Sequence, residues 1–374
     1  MAPTREQILD SLTAVAAPDG RKITETGMLS EIVVSDGKVF FSMNVDSSAV
    51  KAWEPVRQRV EQAVRAVPGV TSAMIALTAE RSDGGASAQP PRAAGTAGHG
   101  ARGAIATGVP GVKAIIAVAS GKGGVGKSTT AVNLALGLRD LGLKVGILDA
   151  DIYGPSLPKL LAIKERPQTI GGTRLKPISR YGLTVMSIGF LIEEETPMIW
   201  RGPMVMSALT QMLREVEWGD QDVMVVDMPP GTGDAQLTMA QQVPLAGAII
   251  VSTPQDLALI DARRGIAMFG RVNVPVLGIV ENMSYFLCPH CGARSDIFGH
   301  GGARKEAERL GVLFLGEVPL DMTIRETSDS GLPVVATQPD GPLATVYRAI
   351  AEKVRDQLNR QGATRAAPKI VVEA

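Results

Sequence analysis

Gly121-Lys122-Gly123-Gly124-Val125-Gly126-Lys127-Ser128 fits G-x-x-x-x-G-K-[ST] and joins two segments of different periodicity. Val112 to Ala119, just before it, is a continuous apolar run of strand length. Just after it, Thr129 to Leu141 carries Ala131, Leu134, Ala135, Leu138 and Leu141 at helical spacing. A strand that feeds a glycine-rich turn into a helix aims the turn's amides and the helix's positive end at one anion. The glycines let the backbone close around phosphates, Lys127 is placed to reach the β and γ phosphates, and Ser128 to reach magnesium. Gly121 through Thr129 is therefore the expected nucleotide-binding stretch. A plain glycine-rich turn is the alternative, and the strand before and helix after count against it.

Working outward, apolar runs recur at Val145-Leu148, Thr184-Ile188, Val223-Val226, Ala248-Val251, Val276-Val280 and Val312-Leu315, with helical stretches between most of them. Continuous rather than alternating apolar character marks strands covered on both faces, which predicts an α/β fold with a mostly parallel sheet covered by helices. Two of these runs end in carboxylates, Asp149-Ala150-Asp151 and Asp227-Met228-Pro229-Pro230-Gly231-Thr232-Gly233-Asp234. Both belong at the carboxyl edge of such a sheet, where ligands bind. For Asp149 a second reading is open, since strand-end carboxylates often cap the turn that follows. Leu343 to Leu358 has Val346, Tyr347, Ile350, Val354 and Leu358 at helical spacing and reads as a docking helix. The alternative, a helix lying on a membrane, is countered by Glu352 and Asp356 on its basic face.

Ahead of the phosphate loop the pattern changes. Residues 4 to 17 read as a helix ended by Pro18, Ile32-Val34 and Val39-Phe41 as a hairpin around Asp36-Gly37, Trp53 to Val67 as a second helix and Val70 to Leu77 as a strand. That makes a small α+β domain over 1–80. Residues 81–111 are rich in Gly, Ala, Pro and Ser with scarcely a large apolar side chain, and read as a flexible linker. A chain of that length spans roughly 30 Å root-mean-square, from about 5 to 6 Å times the square root of residue number. The ATPase domain is expected over 112–361, with a tail at 362–374.

Composition narrows the partners. Lys plus Arg (38) equal Asp plus Glu (38), so no overall basic field gathers nucleic acid or anionic lipid. Arg5, Glu6 and Asp10 interrupt the first residues, which argues against a secretory leader, and no run approaches the roughly 18 apolar residues of a membrane span. Neither nucleic acid nor membrane is an expected partner, and the cytoplasm is the expected location. The two cysteines, Cys288 and Cys291, form a C-x-x-C pair in Cys288-Pro289-His290-Cys291-Gly292 and place both thiolates on one small turn. Zinc knuckles share this spacing and a surface redox pair is open too. A closed zinc site would need two more ligands, with only His290 and His300 nearby, whereas a 4Fe-4S cluster takes four cysteines, two from each member of a two-fold dimer.

The early Lys122 resembles the second lysine of the deviant Walker ATPases, a group that sandwiches ATP between two subunits. That resemblance implies that Lys122 acts across the interface alongside Lys127 as a catalytic lysine. It also implies that Asp151 orients or deprotonates the attacking water, that Asp149 and Asp227 join Ser128 at magnesium, that the Pro-Pro-Gly-Thr-Gly stretch senses the γ phosphate, and that Asn282 reads adenine. More specifically, Gly121 to Ser128, Leu148-Asp149-Ala150-Asp151-Ile152-Tyr153-Gly154-Pro155-Ser156, Asp227 to Asp234, Glu281-Asn282-Met283-Ser284, Cys288 to Gly292 and Phe298-Gly299-His300-Gly301-Gly302 resemble the Mrp/ApbC-type iron-sulfur carrier ATPases over nearly all of 112–360. The first domain resembles the MIP18-type domain often fused in front of them, and it contains no cysteine. The resemblance implies an ATP-hydrolysing homodimer that holds a 4Fe-4S cluster through Cys288 and Cys291 of each copy and serves apo iron-sulfur proteins and cluster scaffold proteins. A positioning or partitioning ATPase shares the nucleotide site but leaves the cysteines unexplained, and a zinc-bridged dimeric scaffold is the other alternative.

Overall fold

The computed structural model describes residues 3–30, 32–35, 37–46, 50–80, 108–170, 174–191 and 202–365. Most of the expected linker, the end of the expected tail and Asp36 of the expected turn lie outside the described residues. The chain divides into two compact units, each taken by itself.

The small unit runs α1 (Arg5–Leu12), β1 (Val33–Ser35), β2 (Lys38–Asp46), α2 (Val50–Arg65) and β3 (Ser72–Glu80). Helix α1 starts in a capping box: the Thr4 hydroxyl accepts from the Gln7 amide at 3.3 Å while the Gln7 side chain accepts from the Thr4 amide at 2.9 Å. It ends at Leu12 rather than running on to Pro18. Beyond it Ala17 N–H donates to Arg21 O at 2.8 Å and Ile23 N–H to Val15 O at 3.0 Å, so a tight bend around Gly20 outcompetes the last helical turn. Strands β1 and β2 pair antiparallel across Gly37, whose φ of +78° is costly for any other residue. Strands β2 and β3 pair parallel. Ile8, Leu12, Phe41, Met43, Val56, Val60, Val64 and Ile75 bury together as one core.

The large unit opens with β4 (Val112–Ala119), α3 (Lys127–Asp140), β5 (Val145–Asp149) and α4 (Leu157–Leu160). A small hairpin of two-residue strands follows, β6 (Thr169–Ile170) with β7 (Arg174–Leu175), then β8 (Ile178–Arg180), β9 (Leu183–Ser187), α5 (Gly202–Arg214), which belongs to this unit from Ala208 on, and β10 (Gln221–Asp227). Next come α6 (Asp234–Gln242), β11 (Gly247–Ser252), α7 (Asp256–Arg271) and β12 (Val276–Glu281). A second small hairpin, β13 (Phe286–Leu287) with β14 (Arg294–Ser295), leads to α8 (Gly302–Leu310), β15 (Phe314–Glu317), α9 (Met322–Asp329), α10 (Val334–Thr337) and α11 (Pro342–Arg365). Eight strands form one sheet in the order β15-β12-β11-β4-β10-β5-β9-β8, all parallel except the β8 edge. The expected parallel sheet covered by helices is what the chain builds. Strand β4 lies at its centre, and β10 sits between β4 and β5 with Asp227 in register with Asp149 on one side and Val118 on the other.

Helix α3 is buried along most of its length, which explains its largely apolar or small composition. It packs on α11, where a Cβ at Gly137 would stand 3.0 Å from Ala351 Cβ and 3.3 Å from Tyr347 O. Tyr347, Ile350, Ala351 and Val354 are all buried, so the apolar stripe of α11 docks on its own unit rather than on a lipid surface. Among the described residues no helix is long and apolar enough to cross a membrane.

Candidate functional site

The phosphate loop leaves β4 at Ser120 and enters α3 at Lys127, as the sequence predicts. Two of its glycines are required. Gly126 has φ +78° and a Cβ there would lie 2.1 Å from Asn282 Nδ2, while a Cβ at Gly121 would lie 2.4 Å from the Asp261 carbonyl of α7. The loop borders a cleft of about 410 Å³. Lys122, Gly123, Gly124, Gly126, Lys127, Ser128 and Thr129 line it together with Asp151 and Pro230.

Beneath the cleft lies a buried charge cluster. Lys127 and Asp227, 6% and 0% exposed, form an ion pair through Nζ and Oδ1, and Lys127 Nζ also donates to Ser128 Oγ at 3.2 Å. Asp227 Oδ2 is buried without any hydrogen-bond partner. A buried acceptor without a donor, next to the loop's serine, suits a cation or a cation's water.

Asp149 is placed differently. Its Oδ2 accepts from the amides of Ser156 (2.9 Å) and Leu157 (3.0 Å) and from Ser187 Oγ (3.0 Å), and its Oδ1 accepts from the Asp151 amide at 3.2 Å. The carboxyl group thus caps the loop that follows β5, the second of the two readings open from sequence. Burial first, and the neighbouring Asp227 second, push it up to about 7. Asp151 faces the cleft; burial raises it above the usual carboxylate range against the opposing pull of Lys127. A carboxyl group lifted this way at a phosphate site is suited to handling a proton.

The segment after Asp227 is tied to the end of β4 and the start of the phosphate loop. Met228 N–H donates to Val118 O at 3.0 Å and Gly231 N–H to Ser120 O at 2.9 Å, with Gly231 at φ +105°. Asn282 sits behind the loop rather than on the cleft wall, its Nδ2 donating to Val125 O at 2.8 Å. The Lys122 side chain borders the cleft and makes no hydrogen bond or ion pair among the described residues.

Cys288 and Cys291 stand at the tip of the β13–β14 hairpin. Cys288 N–H donates to Ala293 O at 2.9 Å and Gly292 N–H to Cys288 O at 2.8 Å, the latter with Gly292 at φ +70°. The amides of His290 first and Cys291 second point at the Cys288 thiol and hold it below its ordinary value. Amides turned onto a sulfur in a tight two-cysteine turn suit a thiolate that binds metal. Cys291 is exposed and Cys288 half-buried. Among the described residues no group of three His, Cys, Asp or Glu could hold a metal ion. His300 does not complete a set, because its Nδ1 lies 2.7 Å from Arg294 Nη2, a donor that cannot accept. Sequence reasoning passed over Arg294, which lies over the Tyr285 ring at 4.4 Å and pairs with Asp296 at 2.9 Å, anchoring the hairpin's base.

A central parallel strand, a glycine-rich loop entering a helix, a buried lysine and serine at its end and an aspartate at the tip of the neighbouring strand define a P-loop NTPase. The sequence model of the NUBPL iron-transfer P-loop NTPase family matches residues 111–355, and that of the iron-sulfur cluster assembly protein family matches residues 5–75. The chain belongs to the NUBPL iron-transfer P-loop NTPase family, fused to an amino-terminal iron-sulfur cluster assembly domain. It is 54% identical over 266 residues to the iron-sulfur cluster transfer protein NUBPL of Dictyostelium discoideum, covering 71% of this chain and 82% of that one. To the iron-sulfur cluster carrier protein of Escherichia coli K12 it is 56% identical over 256 residues, 68% of this chain and 69% of the relative. Among solved structures it resembles a nucleotide-binding protein from Archaeoglobus fulgidus in complex with ADP, with a TM-score of 0.56 and 40% identity over 63% of this chain and 92% of that one. The cell division ATPase MinD of Pyrococcus furiosus, at 22% identity and a TM-score of 0.50 over 65% of this chain and 98% of that one, shares the fold.

Proposed function

We propose that this protein hydrolyses ATP and carries a 4Fe-4S cluster, held between two copies by Cys288 and Cys291 of each and passed to apo-proteins. The observation that carries this reading is the hairpin of the large unit: it presents two thiols, the Cys288 sulfur held by backbone amides, and the described residues of one chain offer no third ligand. A four-thiolate cluster is completed by a two-fold axis past the hairpin tip. The names of the relatives, cluster carrier and cluster transfer protein, agree with it.

At the cleft, the loop amides and Lys127 bind the phosphates and Asp151 takes the proton of the attacking water, with burial keeping its carboxyl basic enough to do so. Ser128 and the unpartnered Oδ2 of Asp227 would hold magnesium, which supplies charge neutralisation at the transferring phosphoryl group. Asp149 holds the Asp151 loop in place through its four accepted hydrogen bonds. Lys122, unpaired within the described residues, reaches the nucleotide of the facing copy. We place the protein in the reducing cytoplasm, where such thiols stay available.

Anaerobic reconstitution with iron and sulfide tests the reading. About four irons per two chains, lost together with cluster-dependent association in Cys288→Ser or Cys291→Ser, is the expected result. Four irons per chain, or zinc retained in their place, would rule it out.

A further inference from the structure

One carboxylate joins the parts of the large unit that such a carrier must operate together. Glu281, the last residue of β12, is fully buried. Its Oε1 accepts from Ser284 Oγ at 2.6 Å, and its Oε2 accepts from the Ala303 amide at 2.7 Å in the first turn of α8. Everything between Ser284 and Ala303 is the excursion that presents Cys288 and Cys291. Both ends of that excursion therefore rest on the two oxygens of a single side chain. The backbone fixes the first of these ends as well: Val318 N–H donates to Glu281 O at 2.8 Å, and Ser284 N–H to Val318 O at 3.0 Å. Met283, inside this turn, holds φ +55°, a left-handed conformation that a methionine keeps only where its surroundings determine it.

The next residue touches the phosphate loop. Asn282 donates through Nδ2 to Val125 O at 2.8 Å and through its amide to Ser252 O at 2.8 Å. There is no slack at this contact, since a Cβ at Gly126 would already lie 2.1 Å from Asn282 Nδ2. A shift of the phosphate loop thus moves Asn282, and Asn282 is covalently joined to the residue that pins both ends of the cysteine excursion.

We propose that Glu281 is the positioning residue through which the nucleotide site and the cysteine pair are coupled. The purpose of the coupling rests on the cluster-carrier reading; its geometry does not. Glutamine can preserve the clamp, accepting from Ala303 with its oxygen and donating to Ser284, whose hydroxyl can accept instead. Alanine removes both acceptors and strands a buried amide and hydroxyl. Ser284→Ala cuts one arm alone.

Because the chain has two cysteines in all, their alkylation by iodoacetamide, followed residue by residue in the reduced full-length protein, reports on the excursion directly. Wild-type rates measured with and without a non-hydrolysable Mg–ATP analogue are expected to differ by about 5-fold or more, the low end of ordinary site-to-site coupling. Glu281→Ala should lose this difference while still binding a fluorescent ATP analogue, Ser284→Ala should lose part of it, and Glu281→Gln should keep it. If Glu281→Ala no longer binds nucleotide, the Ser284→Ala and Glu281→Gln pair decides by the same criterion. Retention of the full wild-type ratio in Glu281→Ala or Ser284→Ala, or a wild type whose alkylation ignores nucleotide, overturns the proposal. No cluster is present in this assay, so a failed reconstitution would sink the carrier reading and leave this result standing.

Discussion

Lys127→Ala should damage the protein twice, and the two injuries can be separated. The side chain is 6% exposed and its partner Asp227 is 0% exposed, with Oδ2 already lacking a donor and Asp149 in register one strand away. Removing the ammonium leaves a buried carboxyl group with no cation beside it. Breaking such a pair from one side typically costs about 3–5 kcal/mol. At roughly 2–4 °C per kcal/mol for a domain of this size, even the low end lowers the melting temperature by about 6–12 °C. Adding Asp227→Asn removes the stranded charge, so the double variant should regain more than half of that loss. Turnover should be absent in both, since neither restores the charge on the transferring phosphoryl group. Thermal unfolding without nucleotide is the assay, because ligand binding would itself shift the midpoint, with phosphate release measured alongside. A single variant that melts with the wild type, or a double variant no more stable than the single, would refute the reasoning.

Lys122→Ala should fold normally and lose turnover chiefly where the protein is dimeric, so rates against protein concentration should diverge from the wild type; normal rates at every concentration would exclude a role across the interface. Deleting residues 1–110 should leave a folded, ATP-binding protein, because the phosphate and cysteine motifs lie beyond that point, and loss of folding would show a shared core. Asp149, lifted from 3.8 to about 7, binds a proton in the folded state that the unfolded chain has released, so its contribution to stability is present at low pH and fades as pH rises through about 7. Against Asp149→Asn, wild-type stability measured by urea unfolding should fall more steeply between about pH 4 and 7; parallel profiles would show that the group titrates normally.

The nucleotide half was legible because its signals are local. Eight consecutive residues specify the loop, and runs of Val, Ile and Leu announce strands covered on both faces. What escaped depends on partners far along the chain. The ion pair of Lys127 with Asp227 spans a hundred residues and follows from strand order, which places β10 between β4 and β5. The capping role of Asp149 is one of the two readings open from sequence, and only its bond from Ser187, brought alongside by the β5–β9 register, lies beyond local reach. The antiparallel β8 edge leaves no signal because Ile178-Ser179-Arg180 is too short to show a period. Glu281 leaves a faint signal, an acidic residue closing an otherwise apolar run, yet nothing nearby in sequence shows that Ala303 lies against it. Pro18 predicts a first helix running to residue 17, whereas the bend at Gly20 ends it at Leu12.

Incompleteness links the two ends of the large unit. At the cleft, Lys122 is a cation with no partner among the described residues, in a loop whose Lys127 is the residue proposed to bind the loop's own phosphates. At the hairpin, one chain presents two thiols where the proposed cluster needs four. Among the described residues Lys122 makes no ion pair, and no third metal ligand stands near the cysteines. A second copy on one two-fold axis would meet both at once, since any group that reaches across such an axis is answered by its twin. Glu281 holds both ends of the cysteine excursion, and its neighbour Asn282 touches the phosphate loop. On the proposed reading, closing the dimer on ATP and closing it on the cluster are then the same motion seen from two sites, and hydrolysis at one would loosen the grip at the other.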